Sequence, residues 1–227
     1  MDFYVLTLFP DMVRGALGHS ITKRAIDNGQ IRLICIDIRD FSGNKHRRVD
    51  DAPYGGGAGM VMQPQPVYEA CCHAKRLAQR DDIRVVYMSP QGKPFNQQAA
   101  REIARAQSII LLCGHYEGVD ERVLEEIVTD EISIGDYVLT GGELAAAVVI
   151  DAASRLVPGV LGKAESFADE SFENGLLEYP HYTRPPTFMR RAVPEVLLSG
   201  HHGHVAAWRA AKAIERTRAK RPDLLEE

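Results

Sequence analysis

The stretch SIGDYVLTGGE, residues 133–143, decides how the rest of the chain is interpreted. It stands between a strand-like run and the most apolar helical pattern in the sequence, residues 144–156. Its three glycines allow a tight backbone that a ligand approaches closely. Thr140 and Glu143 have the spacing of a capping box, which predicts a helix that begins just after Thr140. A Gly-rich turn before a buried helix is the structural alternative, and this stretch alone does not exclude it.

Working outward from this stretch, the chain repeats the order strand, loop, helix. Strand-like residues 83–88 lead into SPQGKP (89–94), and residues 108–113 lead into GHYEG (114–118). Residues 131–134 lead into the glycine stretch in the same way. This alternation predicts an α/β domain with a mainly parallel sheet. Ligands bind at the carboxyl ends of such strands, so we expect the three loops to form one site.

The remaining elements before residue 160 follow from local periodicity and from turn residues. A polar segment at residues 39–60, rich in glycine, is long for a connection and is therefore a candidate functional loop. The other predicted elements are strands at residues 3–9 and 31–38 and helices at residues 10–17, 21–27, 65–79, from about 96 and from about 120.

Charge is distributed unevenly along a chain whose net charge is −4. Residues 181–222 contain nine Lys and Arg but only two Glu, which indicates a basic C-terminal unit suited to a polyanion. A solvated amphipathic helix is the ordinary alternative. Within this unit we expect a helical turn at residues 194–198 and a basic amphipathic helix at residues 205–220. The acidic, glycine-containing residues 158–173 before it are typical of a mobile linker.

Several other functions are disfavoured by the residue patterns. Cys35, Cys71, Cys72 and Cys113 lack zinc-ligand spacing, so we expect buried thiols in a reducing compartment. The three histidines between 201 and 204 have no acid or Cys close by, which argues against a metal site. The chain shows neither a signal-peptide pattern nor an apolar run of about 20 residues, and we expect a cytoplasmic protein without membrane contact.

Taken together, these stretches resemble the bacterial tRNA (guanine-N1)-methyltransferase family, TrmD, of the SPOUT superfamily. The resemblance covers essentially the whole chain in order. It implies a trefoil-knotted, mainly parallel sheet with a small α-helical C-terminal domain. The matching pieces are PYGGG (53–57), SPQG (89–92), GHYEGVDER (114–122), IGDYVLTGGE (134–143), PGVLG (158–162), GLL (175–177), PHYTRP (180–185) and LSGHH (198–202). One departure is Ala145, where the family commonly has Pro, which favours the first turn of a helix.

The resemblance also implies a division of labour along the chain. Residues 1–160 would form the knotted domain that binds S-adenosyl-L-methionine, residues 161–175 a flexible linker, and residues 176–227 a helical, basic tRNA-binding domain. The predicted cofactor-binding residues are Tyr87, Met88, Ser89, Pro90, Gln91, Gly92, Gly114, Tyr116, Glu117, Gly118, Ser133, Ile134, Gly135, Asp136, Tyr137, Val138, Leu139, Gly141 and Gly142.

For catalysis, the resemblance places a base in the linker just before Ser171. The family usually has Asp there, whereas this chain has Glu170 preceded by Asp169, so both stay candidates. N1 of guanine carries a proton at neutral pH, and a carboxylate is suited to remove it. Arg155 matches the family's essential arginine and would stabilise the charge developing on guanine. An ordinary ion pair of Arg155 with Asp151, four residues away, is the structural alternative.

The implied reaction is methylation of N1 of guanosine at tRNA position 37, next to the anticodon, which maintains the reading frame. The family works as a homodimer in which both subunits contribute to each tRNA site, and magnesium is associated with its activity, although nothing in this sequence requires a metal. A ribose 2′-O-methyltransferase of the same superfamily, a non-catalytic tRNA-binding protein and a small-molecule enzyme are the alternatives. The predicted tRNA-binding residues are Asp50, Gly56, Gly57, His181, Arg184, His201 and Arg209.

Overall fold

The computed structural model of the protein describes residues 1–162 and 170–225. The chain divides into two compact units, Met1–Leu161 and Gly162–Glu227. The first unit contains β1 (Asp2–Thr7), α1 (Pro10–Leu17), α2 (Ser20–Asp27), β2 (Arg32–Asp37), β3 (Asp50–Asp51), β4 (Val61–Met62), α3 (Pro64–Ala78), β5 (Arg84–Pro94), α4 (Gln97–Ala104), β6 (Ser108–Cys113), α5 (Glu121–Ile127), β7 (Asp130–Ser133) and α6 (Glu143–Ser154).

Five strands form the central sheet in the order β2-β1-β6-β5-β7, and each neighbouring pair runs parallel. The prediction of an α/β fold with a mainly parallel sheet is therefore confirmed. The trefoil knot stays a prediction. Because all five strands run in the same direction, their carboxyl ends lie at one edge of the sheet.

Apolar side chains pack against both faces of this sheet, as expected for a parallel sheet covered by helices. Strand β6 is buried along its whole length. Its Ile109 and Leu111 pack toward α1, α4 and α6, whereas Ile110 and Leu112 pack toward α3 and α5. This alternation explains why β6 reads as a continuous apolar run in the sequence. The sheet is therefore packed against a hydrophobic core on each of its two faces.

Strand β5 is longer than predicted. Met88 and Lys93 both pair with Ile132 of β7, so residues 89–92 leave the ladder between them and return to it. The prediction of a simple loop at residues 89–94 was wrong for this reason. Gly92 makes the return feasible, because a Cβ there would lie 2.5 Å from the carbonyl carbon of Glu131 in the β7 backbone.

The segment at residues 39–60 is more ordered than the expected loop. A 3-10 turn spans Ile38–Phe41, and β3 pairs antiparallel with β4. Arg47 forms ion pairs with Asp37 and Asp40, which ties the polar part of the segment to the end of β2. The glycines at 55, 56, 57 and 59 all have positive φ angles, a backbone shape that favours glycine.

The second unit is mainly helical. It contains β8 (Thr187–Phe188) paired antiparallel with β9 (Arg191–Ala192), a 3-10 turn at Glu195–Leu198, α7 (His202–Lys220) and a 3-10 turn at Pro222–Leu225. Helix α7 begins three residues earlier than predicted. Its buried Thr217 accepts a hydrogen bond from the Leu177 N–H at 2.9 Å and donates to the Ala213 carbonyl at 2.8 Å. This threonine fastens the segment at residue 177 to the helix.

In the part of the chain that the structure describes, no helix is both long enough and apolar enough to span a membrane. Cys71 and Cys113 are buried, as expected, while Cys35 and Cys72 are half-buried. Burial raises the pKa of the Cys35 and Cys71 thiols to about 11. These thiols therefore stay protonated at neutral pH and are poor nucleophiles.

Candidate cofactor site at the strand ends

Residues 87–90 of β5 and the loops after β6 and β7 meet and enclose one pocket at the carboxyl edge of the sheet. Most of the predicted cofactor residues line it, and they come from all three segments, as the parallel strand arrangement requires. The predicted residues brought together here are Tyr87, Met88, Ser89, Pro90, Gly114, Tyr116, Glu117, Gly118, Ser133, Ile134, Gly135, Tyr137, Val138, Leu139, Gly141 and Gly142.

Three predicted cofactor residues do not line this pocket: Gln91, Gly92 and Asp136. Gly92 instead packs against the backbone of β7. Sequence reasoning missed four lining residues, namely His115, Ile132, Thr140 and Ala145. His115 and Thr140 lie inside the quoted motifs and could have been found there. Ile132 belongs to β7 and gave no separate signal, whereas Ala145 was noted only as the position where the family commonly has Pro.

The glycine turn packs directly on the end of β6. The Gly142 N–H donates to the Gly114 carbonyl at 3.0 Å, and Gly141 forms a backbone bridge with His115. A Cβ on Gly142 would lie 2.7 Å from the Cα of Cys113, closer than real Cβ atoms come. Glycine is therefore required at 142 because two backbones approach each other, which brings two walls of the pocket together.

The loop after β7 is closed by its own side chains. The Gly135 N–H donates to Oγ of Ser133 at 3.2 Å, and the Tyr137 hydroxyl donates to the Ile134 carbonyl at 3.2 Å. Gly135 has a φ of +149°, and a Cβ there would collide with the Tyr137 ring. The exposed rings and aliphatic groups of this loop form an apolar wall beside polar backbone groups, a combination typical of ligand pockets.

The predicted capping box of α6 is wrong. The helix begins at Glu143 after Gly142, and no side chain caps it. Glu143 is only 1% exposed. Its Oε1 accepts a hydrogen bond from the Thr7 hydroxyl at 2.5 Å, and its Oε2 lies 2.7 Å from Nε2 of His115. Both partners are distant in sequence. Their hydrogen bonds occupy the Glu143 carboxylate, which in a capping box would instead accept a hydrogen bond from a backbone N–H at the start of the helix.

The side chains that line the pocket include one carboxylate and three tyrosines. Among the lining residues, Glu117 is the one carboxylate, and its N–H donates to the Met60 carbonyl at 2.9 Å. Burial, with the nearby Glu131 carboxylate adding to it, raises the pKa of the Tyr87 phenol, which therefore stays neutral. Tyr116 has a positive φ of 60°, an uncommon conformation for a non-glycine residue and one often found at functional sites.

The predicted catalytic residues fall in different parts of the chain. Arg155 follows the last turn of α6 in the first unit. Glu170 belongs to the second unit, where it lines a cavity together with Asn174, Tyr179 and Arg209. Asp169 lies outside the described residues. Glu170 thus lines the same cavity as Arg209, one of the predicted tRNA-binding residues.

The remaining predicted tRNA-binding residues are distributed over both units. Asp50 is in β3, and Gly56 and Gly57 are exposed in the first unit. In the second unit, the Arg209 guanidinium lies over the Tyr179 ring at 4.7 Å, and that ring is 4.9 Å from His181. Arg184 and His201 are exposed. Within the described residues, no group of three His, Cys, Asp or Glu side chains is arranged to hold a metal ion.

A parallel α/β sheet with a glycine-lined pocket at its strand ends defines a domain of the cofactor-binding enzyme class. The model of the family described as "tRNA (Guanine-1)-methyltransferase TrmD" matches residues 1–227. The chain therefore belongs to this family of tRNA methyltransferases.

Relatives from several bacteria that match 99–100% of this chain agree with this assignment. The chain is 55% identical over 227 residues to the tRNA (guanine-N(1)-)-methyltransferase of Desulforamulus reducens, covering 100% of this chain and 89% of the relative. It is 58% identical over 230 residues to that of Lachnospira eligens, covering 100% and 96%. The corresponding protein of Clostridioides difficile is 54% identical over 224 residues, covering 99% and 97%.

Proposed function

We propose that the protein transfers a methyl group from S-adenosyl-L-methionine to N1 of guanosine at position 37 of tRNA. The observation that carries this proposal is the pocket formed by residues 87–90 of β5 and the loops after β6 and β7 in a chain that matches the family along its whole length. The family match does not favour a ribose 2′-O-methyltransferase, a non-catalytic tRNA-binding protein or a small-molecule enzyme. As a tRNA-modifying enzyme, the protein would act in the cytoplasm.

The chemistry of the pocket fits this methyl donor. S-adenosyl-L-methionine supplies an electrophilic methyl group on a positively charged sulfur. The Glu117 carboxylate favours a cationic ligand, and the apolar wall around Ile134, Tyr137 and Leu139 suits an adenine ring. The glycine turn at 141 and 142 lines the pocket with backbone rather than with side chains, which lets a ligand approach closely. These residues would hold and orient the cofactor.

The proton on N1 of guanine has to leave as the methyl group arrives. We assign its removal to Glu170, with Asp169 as the alternative in the adjacent position. Glu170 is half-buried beside Arg209 and Asn174 in the second unit. The Arg155 guanidinium would stabilise the negative charge that develops on the guanine ring. The described donor set offers no metal cluster, so no step is assigned to magnesium.

The basic second unit would bind the tRNA backbone. Arg184 and Arg209 are cations on this unit, and Arg209 stacks on Tyr179 in a way that also suits contact with a nucleobase. Contacts with phosphates set affinity and its salt dependence rather than sequence choice. Asp50 and the glycine loop at 56 and 57 would contact the target base.

We also propose that the protein forms a homodimer. Helix α6 is buried on most of its surface, yet Leu144 and Val148, four residues apart on one face, are each about half exposed. Val138, in the loop before α6, is 85% exposed. Exposed apolar side chains that lie together favour a protein interface. A second copy of this chain is the partner that the family resemblance implies.

The test is methyl transfer to two tRNA transcripts that differ only at position 37, with guanosine in one and adenosine in the other. We expect methylation of the guanosine transcript alone, with the product identified as 1-methylguanosine. Glu170→Gln should reduce turnover by about 100-fold or more, because a general base of this kind contributes at least that much. Asp169→Asn serves as the matched comparison.

Different results would reassign the roles. Normal turnover in Glu170→Gln together with loss in Asp169→Asn would move the base to Asp169. A methyl group on the ribose oxygen, or equal methylation of both transcripts, would overturn the proposed reaction.

A further inference from the structure

A carboxylate with no contact to the cofactor pocket lies directly beneath it. Glu143 and Thr7 are both almost completely buried, and neither lines the pocket. His115, the third member of this cluster, does line it. A buried carboxylate is costly unless it is well hydrogen-bonded, so its presence calls for a reason.

The direction of each hydrogen bond in the cluster is determined by its neighbours. The Phe9 N–H donates to Oγ1 of Thr7 at 2.8 Å, and the Thr7 hydroxyl is therefore oriented to donate its own proton to Oε1 of Glu143 at 2.5 Å. Because a carboxylate only accepts, Nε2 of His115 donates to Oε2 at 2.7 Å. Both carboxylate oxygens are thus held by side chains of other segments.

These bonds connect the loops after β6 and β7, which form two of the three walls of the pocket, with the end of β1. Thr7 ends β1, His115 lies in the loop after β6, and Glu143 directly follows the glycine turn. A Cβ on Gly141 would run into both the His115 ring and the Glu143 carboxylate. The glycine turn therefore packs against the hydrogen-bonded pair of His115 and Glu143. A shift of the Glu143 carboxylate would displace both the glycine turn and the loop after β6.

We propose that Glu143 is a positioning residue for the cofactor pocket and that the Thr7 hydroxyl is the donor that fixes it. This inference rests on the proposed function, because the ligand of the pocket is taken to be S-adenosyl-L-methionine. Thr7 fixes Oε1, His115 connects Oε2 to the pocket wall, and the backbone of residues 141–143 transmits the position of the carboxylate to the glycine turn.

The test compares two substitutions of Thr7 in the full-length chain. Thr7→Val keeps the shape and removes the donor, whereas Thr7→Ser keeps the donor. We expect Thr7→Val to weaken binding of S-adenosyl-L-methionine, measured by titration calorimetry, by about tenfold, because one fixed hydrogen bond to a charged group is lost. Thr7→Ser should retain binding within about twofold.

A matched control separates positioning from general stability. Thr22 is also buried, and its hydroxyl donates to the carbonyls of Leu17 and His19 at 2.8 and 2.9 Å, away from the pocket. Thr22→Val should lower the unfolding temperature without changing cofactor affinity. Wild-type affinity in folded Thr7→Val would overturn the inference. Absence of binding in the wild-type protein would instead overturn the proposed function.

Glu143→Gln provides a second route if Thr7→Val does not fold. The amide keeps the length of the side chain but has one acceptor oxygen instead of two, so it no longer matches two donors. We expect a higher KM for the cofactor with kcat at saturating cofactor close to that of the wild type. An unchanged KM for the cofactor would contradict the positioning role.

Discussion

At the scale of single residues, the ion pair between Arg84 and Asp130 stabilises the edge strand β7 beside the pocket. Nε and one terminal nitrogen of Arg84 on β5 donate to the two carboxylate oxygens of Asp130 on β7, at 2.7 and 2.9 Å. The hydrogen bond from Arg84 is the main cause of the lowered pKa of Asp130, and Thr129 adds a further donor. Among the described strands, β7 stands at one edge of the sheet, so this bidentate contact helps to hold it in register.

We expect Asp130→Asn to lower the free energy of unfolding by roughly 1 kcal/mol at pH 7, a value discounted because both side chains are about one-third exposed. The folded-state pKa lies below the ordinary 3.8, so the stabilisation is present above pH 3.8 and is lost as the pH falls through the lowered value. Denaturant unfolding of the wild type and of Asp130→Asn, at pH 7 and at pH 2–3, measures the difference in their free energies of unfolding.

The control is Asp82→Asn, since Asp82 pairs with Arg80 on the open surface and its pKa is lowered by the same kind of bond. We expect no measurable change there, because exposed pairs are screened by solvent. An Asp130→Asn effect of equal size at both pH values would show that the ionised pair does not contribute.

At the scale of elements, the pocket depends on how closely the turn before α6 approaches the end of β6. Gly142 has helical dihedral angles of −79° and −8°, so any residue could adopt its backbone conformation. What demands glycine is space, because the Cα of Cys113 fills the position next to it. The constraint is purely one of packing between two backbones.

We therefore expect Gly142→Ala to destabilise the protein by about 1–3 kcal/mol, because the added methyl group forces the two backbones apart. The same shift should weaken cofactor binding, measured by calorimetry. Gly43→Ala is the matched control, as nothing lies within 4 Å of a Cβ at that position. If Gly142→Ala bound the cofactor as well as Gly43→Ala does, the close approach would not shape the pocket.

The elements also show what the sequence could predict. Helix α1 and strand β6 have the predicted bounds because their signals, a proline start and a continuous apolar run, are local. The capping role predicted for Glu143 was wrong because its hydrogen-bond partners, Thr7 and His115, lie 136 and 28 residues away in the sequence. The return of β5 to β7 after residue 92 was missed for the same reason, since strand pairing is non-local.

At the scale of the whole molecule, the first unit contains both hydrophobic clusters and every residue that lines the cofactor pocket. The second unit carries the basic helix α7 and the stack of Arg209 on Tyr179. A unit with its own core has the properties of an independently folding domain. The motifs allowed the pocket to be predicted from sequence, whereas the cavity that Glu170 shares with Arg209 depends on packing in the second unit.

We expect a chain that ends after Leu161 to fold and to bind S-adenosyl-L-methionine with nearly full affinity, while losing tRNA methylation. The reason is that no pocket-lining residue is removed, whereas the basic surface is. Calorimetry and the methylation assay measure the two properties separately. A truncated chain that unfolds cooperatively yet binds no cofactor would contradict this division.

Residues 89–92, which leave β5 and rejoin the sheet, have a thermodynamic consequence. Met88 and Lys93, which flank residues 89–92, both pair with Ile132 of β7. We expect the backbone between these two fixed ends to have little conformational freedom, even without a ligand. A preformed wall loses little entropy when a small molecule arrives, and more of the contact energy remains as affinity. We therefore expect this side of the site to keep its shape when a ligand binds rather than to close over it.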